Sequence, residues 1–590
     1  MDEKIAYYLI SSLIDRVEHG TVGSVSEVEK EALKVALRAL TGYSSASAEV
    51  AKVASADVAK VVRQAEEAAA EELDVEPGIR DPDAIDSSAG LKPSIEPPEL
   101  EKLGTVELVL DALNTDAPSD PGYLLCLDFG TASSKACATK GRMHFGLELG
   151  RAVGSEGFTL PSSIFVDDGK VYFGFEAIDR SESMVEAGRQ RLDSIKSWLS
   201  FADQVSIDTM LLSEALNPGP TRLTQGDFLR IYLAYFTDIA TTQLSTLSVE
   251  GAPLGRFMKR RYARPCGRDA QQAAWVDTLM RRLLSEAQIL ADTFHGQWAG
   301  GIDIRCLKSA IDAVRKLEQR PEFLIGDGVP EPVAVAATAI ESSENRIDAY
   351  MVVDAGAGTT DFGLFLALRN QDIDEPKVVQ VAPSIKGSGQ AGDKIDQCLQ
   401  AFIGQREGFD SKSTHGAMIE ADLRRRIRVL KELLFTTGTL EYTLADRTVG
   451  SFTREEFCND FRVQSFAKLL QKGFVDALSD VNDSYLDYLA RDPVKLQVIL
   501  TGGSSRLPMI QDLAHGVIEV KGRKISRVPV EAMPDWMERA TDAMRSVYPQ
   551  LAVAIGGAEE QLPSTDFAPE EWFRKTHNSV VATRDPISGA

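Results

Sequence analysis

The chain has 590 residues, of which 44% are hydrophobic and 26% are charged, a composition typical of a folded globular protein with several domains. Its formal net charge of −24 disfavours nucleic acid and anionic membranes as partners, because both are bound chiefly through clustered Lys and Arg. A polyphosphate ligand would therefore need a metal ion to neutralise part of its charge.

The amino terminus and the cysteines favour a cytoplasmic protein. Met1-Asp2-Glu3-Lys4 leads into no apolar signal segment, and no stretch approaches the ~18 apolar residues of a membrane span. The 6 cysteines show no close metal-ligand spacing, so we expect buried, reduced thiols. They are Cys126, Cys137, Cys266, Cys306, Cys398 and Cys458.

The front of the chain differs in composition from the rest. Residues 1–75 carry apolar side chains at helical spacing, such as Leu9, Leu13, Leu33 and Leu37, and predict a helical module. Residues 76–121 are rich in proline and acids and predict a linker with one short helix around 106–113. Two interpretations of the module stay open, a packing extension of the next domain or a site for a protein partner or oligomerisation.

Three glycine-bearing turns follow apolar strands in the remaining sequence, in the segments Leu124–Lys135, Tyr350–Asp361 and Val498–Pro508. In the first two segments an aspartate ends the strand, Asp128 or Asp354, and a Gly/Thr turn follows whose bare backbone N–H groups can approach a polyphosphate. The third turn lacks an acid and offers a flat glycine surface. The combination suits a nucleotide whose phosphates lie between two hairpins and whose base and sugar lie against the third turn.

Further segments occur in a fixed order around these turns and complete a resemblance. They are Leu160–Ser163, Ser194–Leu199, Glu331–Ala337, Ala391–Asp396 and Pro549–Ala558. Together with the turns they resemble the DnaK-type heat-shock chaperones of the actin-like ATPase superfamily. The resemblance implies a two-lobed α/β fold with ribonuclease-H-like lobes over residues 122–562, and binding of ATP with Mg²⁺.

The acids and the lysine of these segments have roles that the chemistry of ATP hydrolysis requires. That reaction depends on positioned water and on stabilisation of charge on the γ-phosphate. Asp128 and Asp354 suit a hydrated Mg²⁺, which takes only one or two carboxylates. The resemblance implies catalytic roles for Lys196, Glu331, Asp361 and Thr359. Phosphate contacts are expected from Gly130, Thr131, Ala132, Gly356, Ala357, Gly358 and Thr360.

The nucleoside side departs from the family pattern. Gly502, Gly503, Ser504 and Arg506 fit an adenosine platform, and the Arg506 side chain is able to stack on a base. In the preceding helix Lys431 matches a family residue that grips the nucleoside. Arg428 and Glu432, in contrast, invert the charges that the resemblance would imply.

The short tail of the chain bears on the expected function, for which two alternatives stay open. Residues 563–590 form a tail too short for the family's peptide-binding domain, so we expect an ATP-driven conformational switch that is chaperone-like or regulatory and has no peptide clamp of its own. One alternative is an actin-like filament or scaffold ATPase. Another is a small-molecule kinase of the same superfamily, favoured by the Gly-Thr-x-Ser-Ser-Lys pattern of the first turn and disfavoured by Glu331-Pro332.

Overall fold

A computed structural model of the chain describes most of the sequence after residue 105. The described ranges are 106–115, 123–141, 143–184, 189–201, 207–249, 252–253, 255–267, 269–340, 347–368, 377–410, 412–531 and 533–565. The predicted helical module, the linker up to residue 105 and the tail from residue 566 lie outside these ranges. Within them the structure confirms the predicted α/β class, and its arrangement is consistent with two lobes.

The first half of the described chain is built on a mixed sheet with strand order β11-β9-β1-β2-β3, with β4 paired to β2. β1 and β2 form an antiparallel hairpin, and β9 lies parallel to both β1 and β11. A smaller sheet has the order β10-β6-β5, and β7 pairs with β8. The strands are β1 (Tyr123–Asp128), β2 (Ser133–Lys140), β3 (Met143–Gly146), β4 (Leu160–Pro161), β5 (Ile164–Asp167), β6 (Lys170–Phe173), β7 (Ser248–Val249), β8 (Ala252–Pro253), β9 (Arg260–Arg264), β10 (Ile302–Asp303) and β11 (Ile325–Pro330).

Helices cover this first sheet, and their starts follow local capping rules. The longest two pack against each other; one begins with a capping box between Thr224 and Asp227, and the other at Asp269, whose side chain accepts from the Gln272 N–H. The helices are α1 (Leu149–Ala152), α2 (Gly174–Glu182), α3 (Ser197–Phe201), α4 (Gln225–Ser245), α5 (Ala270–Thr293), α6 (Ile304–Arg315) and α7 (Glu331–Ala339).

The second half is built on a sheet with strand order β14-β13-β12-β18-β20-β19, with β15 paired to β13. β12 and β13 form an antiparallel hairpin like that of β1 and β2, and β18 lies parallel to β12. A separate hairpin pairs β16 with β17. The strands are β12 (Ile347–Ala355), β13 (Thr360–Leu368), β14 (Lys377–Gln380), β15 (Lys386–Ser388), β16 (Thr439–Thr443), β17 (Val449–Thr453), β18 (Leu496–Thr501), β19 (Gly516–Val520) and β20 (Arg523–Val530).

Two long helices of this half, α8 and α9, pack against each other and precede the β16–β17 hairpin, whereas α14 follows the last strand. The C-caps of α8 and α9 are Gly408 and Gly438, both left-handed, which is the usual way to end a helix. The helices are α8 (Gly392–Glu407), α9 (Thr414–Thr437), α10 (Arg454–Cys458), α11 (Phe461–Ser479), α12 (Asp483–Leu489), α13 (Pro508–Gln511) and α14 (Asp542–Gly557).

Helices α7 and α14 join the two sheets through one buried apolar cluster. The cluster contains Cys126 of β1, Val352 of β12 and Ile499 of β18, together with most of both helices. The helices approach so closely that a Cβ added at Gly556 would lie 1.7 Å from the carbonyl oxygen of Ala334. The absence of a side chain at Gly556 therefore permits this crossing, which sits between the two hairpins that carry the aspartates.

Short segments on either side of the domain are also packed. Ala112 is fully buried in a 3₁₀ helix (Asp111–Leu113), so part of the predicted short helix around 106–113 is a single turn lying against α5. After α14, Ser564 exchanges backbone hydrogen bonds with Val378 and Gln380 of β14, both 2.9 Å long. Among the described residues, no helix is long and apolar enough to cross a membrane.

The cysteines follow the prediction in part. All of them are free thiols. Cys126, Cys137, Cys266 and Cys398 are buried, whereas Cys306 and Cys458 are only half-buried.

Candidate functional site

The three predicted turns come together where the two sheets meet. A Cβ added at Gly358, in the turn after β12, would lie 2.6 Å from the hydroxyl oxygen of Thr131 in the turn after β1. A Cβ added at Gly502, after β18, would lie 2.4 Å from the carbonyl oxygen of Ala355 and 2.6 Å from Oδ1 of Asp354. Gly502 also has φ of +86°, so both its conformation and its surroundings require glycine.

The first turn, Gly130–Ala132, is fixed by hydrogen bonds from Ser162, which follows it in the chain. The hydroxyl of Ser162 donates to the carbonyl oxygen of Gly130 at 2.6 Å, and its N–H donates to that of Ala132 at 2.9 Å. Both contacts fix the backbone of the turn through its carbonyl oxygens. Thr131 lies in the same turn and is 9% exposed.

The second turn is held by its neighbours in the same manner. The N–H of Gly356 donates to the carbonyl oxygen of Thr359 at 2.9 Å, and the hydroxyl of Ser504 donates to that of Gly356 at 2.8 Å. Helix α8 starts on this turn, since the N–H of Asp393 donates to the carbonyl oxygen of Ala357 at 2.7 Å. The turn is therefore fixed from the third turn and from α8 at once.

Four carboxyl groups are buried beside these turns. Asp128 is the last residue of β1 and Asp354 the last but one of β12, and their exposed fractions are 3% and 5%. Asp361 of β13 is fully buried, and Glu331, 6% exposed, opens α7. The backbone N–H of Cys266 donates to Oδ1 of Asp361 at 2.9 Å, while Oδ2 is buried with no hydrogen-bond partner among the described residues.

Burial and crowding favour the neutral forms of two of these acids, Asp361 and Asp354. Burial, and then the charge of Glu331, raises the pKa of Asp361 to about 8. Burial, and then the charges of Glu331 and Asp361, raises the pKa of Asp354 well above its ordinary value. Ionisation of both aspartates is therefore unfavourable unless a bound cation neutralises part of their charge.

Lys196 supplies a buried positive charge. It is 4% exposed and forms an ion pair with Glu331. Burial lowers the pKa of Lys196, but the charges of Glu331 and Asp128 outweigh it and the net direction is upward. Burial raises the pKa of Glu331, but Lys196 outweighs it and the net direction is downward. Both members of this pair are therefore ionised.

The backbone before α3 places Lys196 in this position. Ser194 has φ of +61°, which is uncommon for a residue with a side chain, and its carbonyl oxygen accepts the N–H of Ser197 at 2.9 Å. The hydroxyl of Ser194 donates to Asp393 at 2.6 Å, and Arg428 of α9 donates to that hydroxyl at 2.6 Å. These contacts tie the loop before Lys196 to α8 and α9 in the other half of the molecule.

The predicted nucleoside residues are less closely gathered. Lys431 forms an ion pair with Asp396 at 2.8 Å and donates to the carbonyl oxygen of Gly392 at 3.2 Å. Gly503 and Arg506 are exposed. Of the residues expected to contact phosphate, Thr360 donates its hydroxyl to the carbonyl oxygen of Gln390 at 2.7 Å. Ser504 is buried and contacts the second turn, as described above.

Two residues of the site were not predicted from the sequence. Lys135 faces Asp128 directly across the β1–β2 hairpin, and its Nζ lies 3.4 Å from Oδ2 of Asp128. Cys266 follows β9 and supplies the N–H that holds Asp361. A lysine inside the otherwise small and apolar run Ser133–Thr139 was the available signal for Lys135. No local signal marked Cys266, because its role lies in a backbone N–H.

A divalent cation fits this site only through water or a ligand. Among the described residues, no group of three or more His, Cys, Asp or Glu side chains could hold a metal ion by itself. The unpartnered Oδ2 of Asp361 and the buried carboxylates of Asp128 and Asp354 nevertheless provide oxygen acceptors of the kind that a hydrated Mg²⁺ prefers. The donor set is therefore compatible with a hydrated cation carried by a phosphate ligand.

Comparison with known proteins gives a distant similarity. No protein-family model matches the chain. The chain is 22% identical over 200 residues to the Heat shock protein 70 homolog LHS1 of Saccharomyces cerevisiae, a match that covers 32% of this chain and 22% of that protein. The chain therefore matches less than a quarter of its relative's length. The similarity indicates a likeness to the Hsp70 family, at a level that supports a chaperone-like ATPase only in general terms.

Proposed function

We propose that residues 122–562 form an actin-like, DnaK-like ATPase domain that uses binding and hydrolysis of Mg·ATP as a conformational switch. The observation that carries the proposal is the meeting of two Asp-Gly hairpin turns beside the buried Lys196–Glu331 pair. Backbone N–H groups on two facing turns suit a chain of phosphates, and a buried lysine beside four carboxyl groups suits hydrolysis by a positioned water. The distant Hsp70 similarity supports the same class.

The proposed role of each residue follows from its position in the site. The turns Gly130–Ala132 and Gly356–Gly358 would bind the phosphates, with hydroxyls from Thr131 and Thr359. Lys196 would stabilise the charge that develops on the transferred phosphoryl group. When bound, Mg²⁺ would neutralise phosphate charge, held through water by Asp128 and Asp354.

Glu331 and Asp361 would hold and orient the attacking water. Ionised Glu331 is an acceptor for a water proton, and Asp361 is fixed by the Cys266 N–H at 2.9 Å. A base of this kind acts through geometry, because the γ-phosphoryl transition state demands little covalent assistance. Loss of either carboxylate is therefore expected to reduce turnover more than binding.

Helices α7 and α14 would transmit the nucleotide state. Glu331 is the first residue of α7, and Pro549 of α14 accepts at its carbonyl oxygen from Gly502 N–H at 2.8 Å and from the Thr501 hydroxyl at 2.7 Å. Both helices that cross between the sheets thus touch the site directly. A change in the site would change how these helices cross at Gly556.

Partners would bind outside this site. We place recognition of a protein partner, or self-association, in residues 1–75, and expect the chain to act in the cytoplasm. The switch is proposed to be chaperone-like or regulatory.

Thermal unfolding of nucleotide-free protein tests the ATPase proposal. Mg·ATP is expected to raise the melting temperature, since a ligand that binds only the folded state stabilises it by mass action, by about 2.7 kcal/mol at a hundred times its Kd. Asp354→Asn should diminish the shift, whereas Asp476→Asn, an exposed charge on α11, should leave it unchanged. A melting curve that millimolar Mg·ATP does not move in the unaltered protein would contradict the proposal.

A further inference from the structure

Lys135 brings a second ammonium group to the acidic site. Its side chain is 14% exposed, and Lys135 is the Cα partner of Asp128 in the β1–β2 hairpin. A Cβ added at Gly130 would lie 3.0 Å from Nζ of Lys135, so the ammonium lies directly against the first turn. Lys135 therefore lies between an acid of the site and the first turn.

The two lysines of the site differ in how closely they are paired with a carboxylate. Lys196 is committed to Glu331 by a buried ion pair. Lys135, in contrast, contacts Asp128 at 3.4 Å, a long and partly exposed contact. Its positive charge also acts on the pKa values of Glu331 and Asp354, lowering both. Lys135 thus acts electrostatically on several acids of the cluster, while its contact with Asp128 is long.

We propose that Lys135 binds the polyphosphate of the nucleotide and supplies part of the positive charge that a divalent cation would otherwise provide. This inference rests on the proposed ATP-binding function. An ammonium group has three N–H donors on a flexible stem, so Lys135 can keep its contact with Asp128 and still donate to a phosphate oxygen. Nucleotide binding by this chain should then persist, at reduced affinity, without a divalent cation.

The need for such a charge follows from electrostatics. ATP brings several negative charges to a site with four buried carboxyl groups, in a chain whose formal net charge is −24. In a partly buried site a charge interacts with a phosphate oxygen more strongly than in bulk water, because the effective dielectric is lower. A well-placed ammonium therefore favours the binding of metal-free ATP.

Calorimetric titration with ATP, in excess magnesium and in excess EDTA, tests the inference. The proteins are the unaltered chain, Lys135→Gln, and the control Lys524→Gln, which removes an exposed lysine from β20. Lys135→Gln is expected to weaken ATP binding roughly 10- to 100-fold in EDTA, the size of a charge-assisted hydrogen bond, and by a smaller factor in magnesium. Adenosine binding should be unchanged, because adenosine has no phosphate.

The outcomes separate this inference from the proposed function. If neither the unaltered chain nor Lys524→Gln binds ATP in magnesium, the ATPase proposal fails. If both bind in magnesium but the unaltered chain shows no binding in EDTA, or Lys135→Gln loses the same factor in both buffers, Lys135 does not replace metal charge. If Lys135→Gln does not fold, Lys135→Met, which keeps the apolar stem, is used in its place. Lys135→Arg, which keeps the positive charge, should restore binding in EDTA.

Discussion

The Lys196–Glu331 pair allows a prediction about stability that does not depend on any ligand. Both residues are buried, at 4% and 6% exposure. Lys196→Met removes the cation and leaves a carboxylate in a low-dielectric setting next to Asp361 and Asp354. Breaking one partner of a buried ion pair costs about 3–5 kcal/mol. Lys196→Met should therefore lower the free energy of unfolding by about that amount at neutral pH.

The loss should depend on pH in a defined direction. In the unaltered protein Lys196 keeps the pKa of Glu331 below its ordinary value, so the pair stabilises the fold above that value and stops doing so as pH falls through the lowered pKa. Without Lys196, burial and the neighbouring acids would raise the pKa of Glu331, and stability would be lost as pH rises. Lys196→Met should thus be closer to the unaltered protein near pH 5 than near pH 8.

Urea unfolding followed by circular dichroism at the two pH values measures this effect. Lys196→Met/Glu331→Gln, which leaves no unpaired charge, should recover most of the lost stability and remove its pH dependence. Lys468→Met, on the exposed face of α11, controls for the loss of a lysine. If the single variant loses less than ~1 kcal/mol at neutral pH, or if the double variant is no better than the single one, the pair is not the buried interaction described here.

Three further predictions concern residues that the structure describes, and a fourth concerns the module predicted from the sequence. Lys196→Ala should lower single-turnover ATP hydrolysis by roughly 10²-fold or more while nucleotide affinity is largely kept, since a preorganised charge acts mainly on the transition state; hydrolysis at the parent rate would refute that role. In metal-free protein the pKa of Asp361 is raised to about 8, so protonated Asp361 adds stability at low pH that is lost as pH rises through that value. Between about pH 5 and about pH 9 the melting temperature should therefore fall more steeply for the unaltered chain than for Asp361→Asn. Gly556→Ala should cost about 1–3 kcal/mol or more because its Cβ would lie 1.7 Å from the Ala334 carbonyl oxygen, whereas Gly404→Ala, with its nearest atom at 3.4 Å, should be neutral or stabilising in the same urea assay. Deletion of residues 1–75 should leave ATP turnover nearly intact and abolish partner capture or change the oligomer size seen by sedimentation; loss of the folded domain would instead show that this module belongs to the core.

Local signals were sufficient for the class of fold and for the turns. The strands that end at Asp128 and Asp354 are apolar runs followed by glycine, a pattern that depends only on neighbouring residues. Glu331-Pro332 starts a helix because proline is tolerated in the first turn and an acid favours that end of the helix. These features could be predicted because their causes lie within a few residues of one another.

The tertiary structure alone decided which of these residues meet. Lys196 and Glu331 are 135 positions apart, and their pairing depends on how α3 and α7 pack. The Cys266 N–H donates to Asp361, which lies 95 positions further along the chain. Lys431 is paired with Asp396 of the neighbouring helix α8, and its contact with a nucleoside stays a prediction. No periodicity in the sequence encodes such contacts, because they are set by the crossing of whole elements.

The charge state of the site also belongs to the tertiary level. The sequence by itself determined that Asp128, Asp354 and Asp361 are acids at strand ends or starts, and that Lys135 lies seven residues after Asp128. It did not determine that burial and mutual repulsion raise the pKa of Asp354 and Asp361. The physical reason is that solvent exclusion and Coulomb interactions depend on distance in space, and the packing of the two sheets sets those distances.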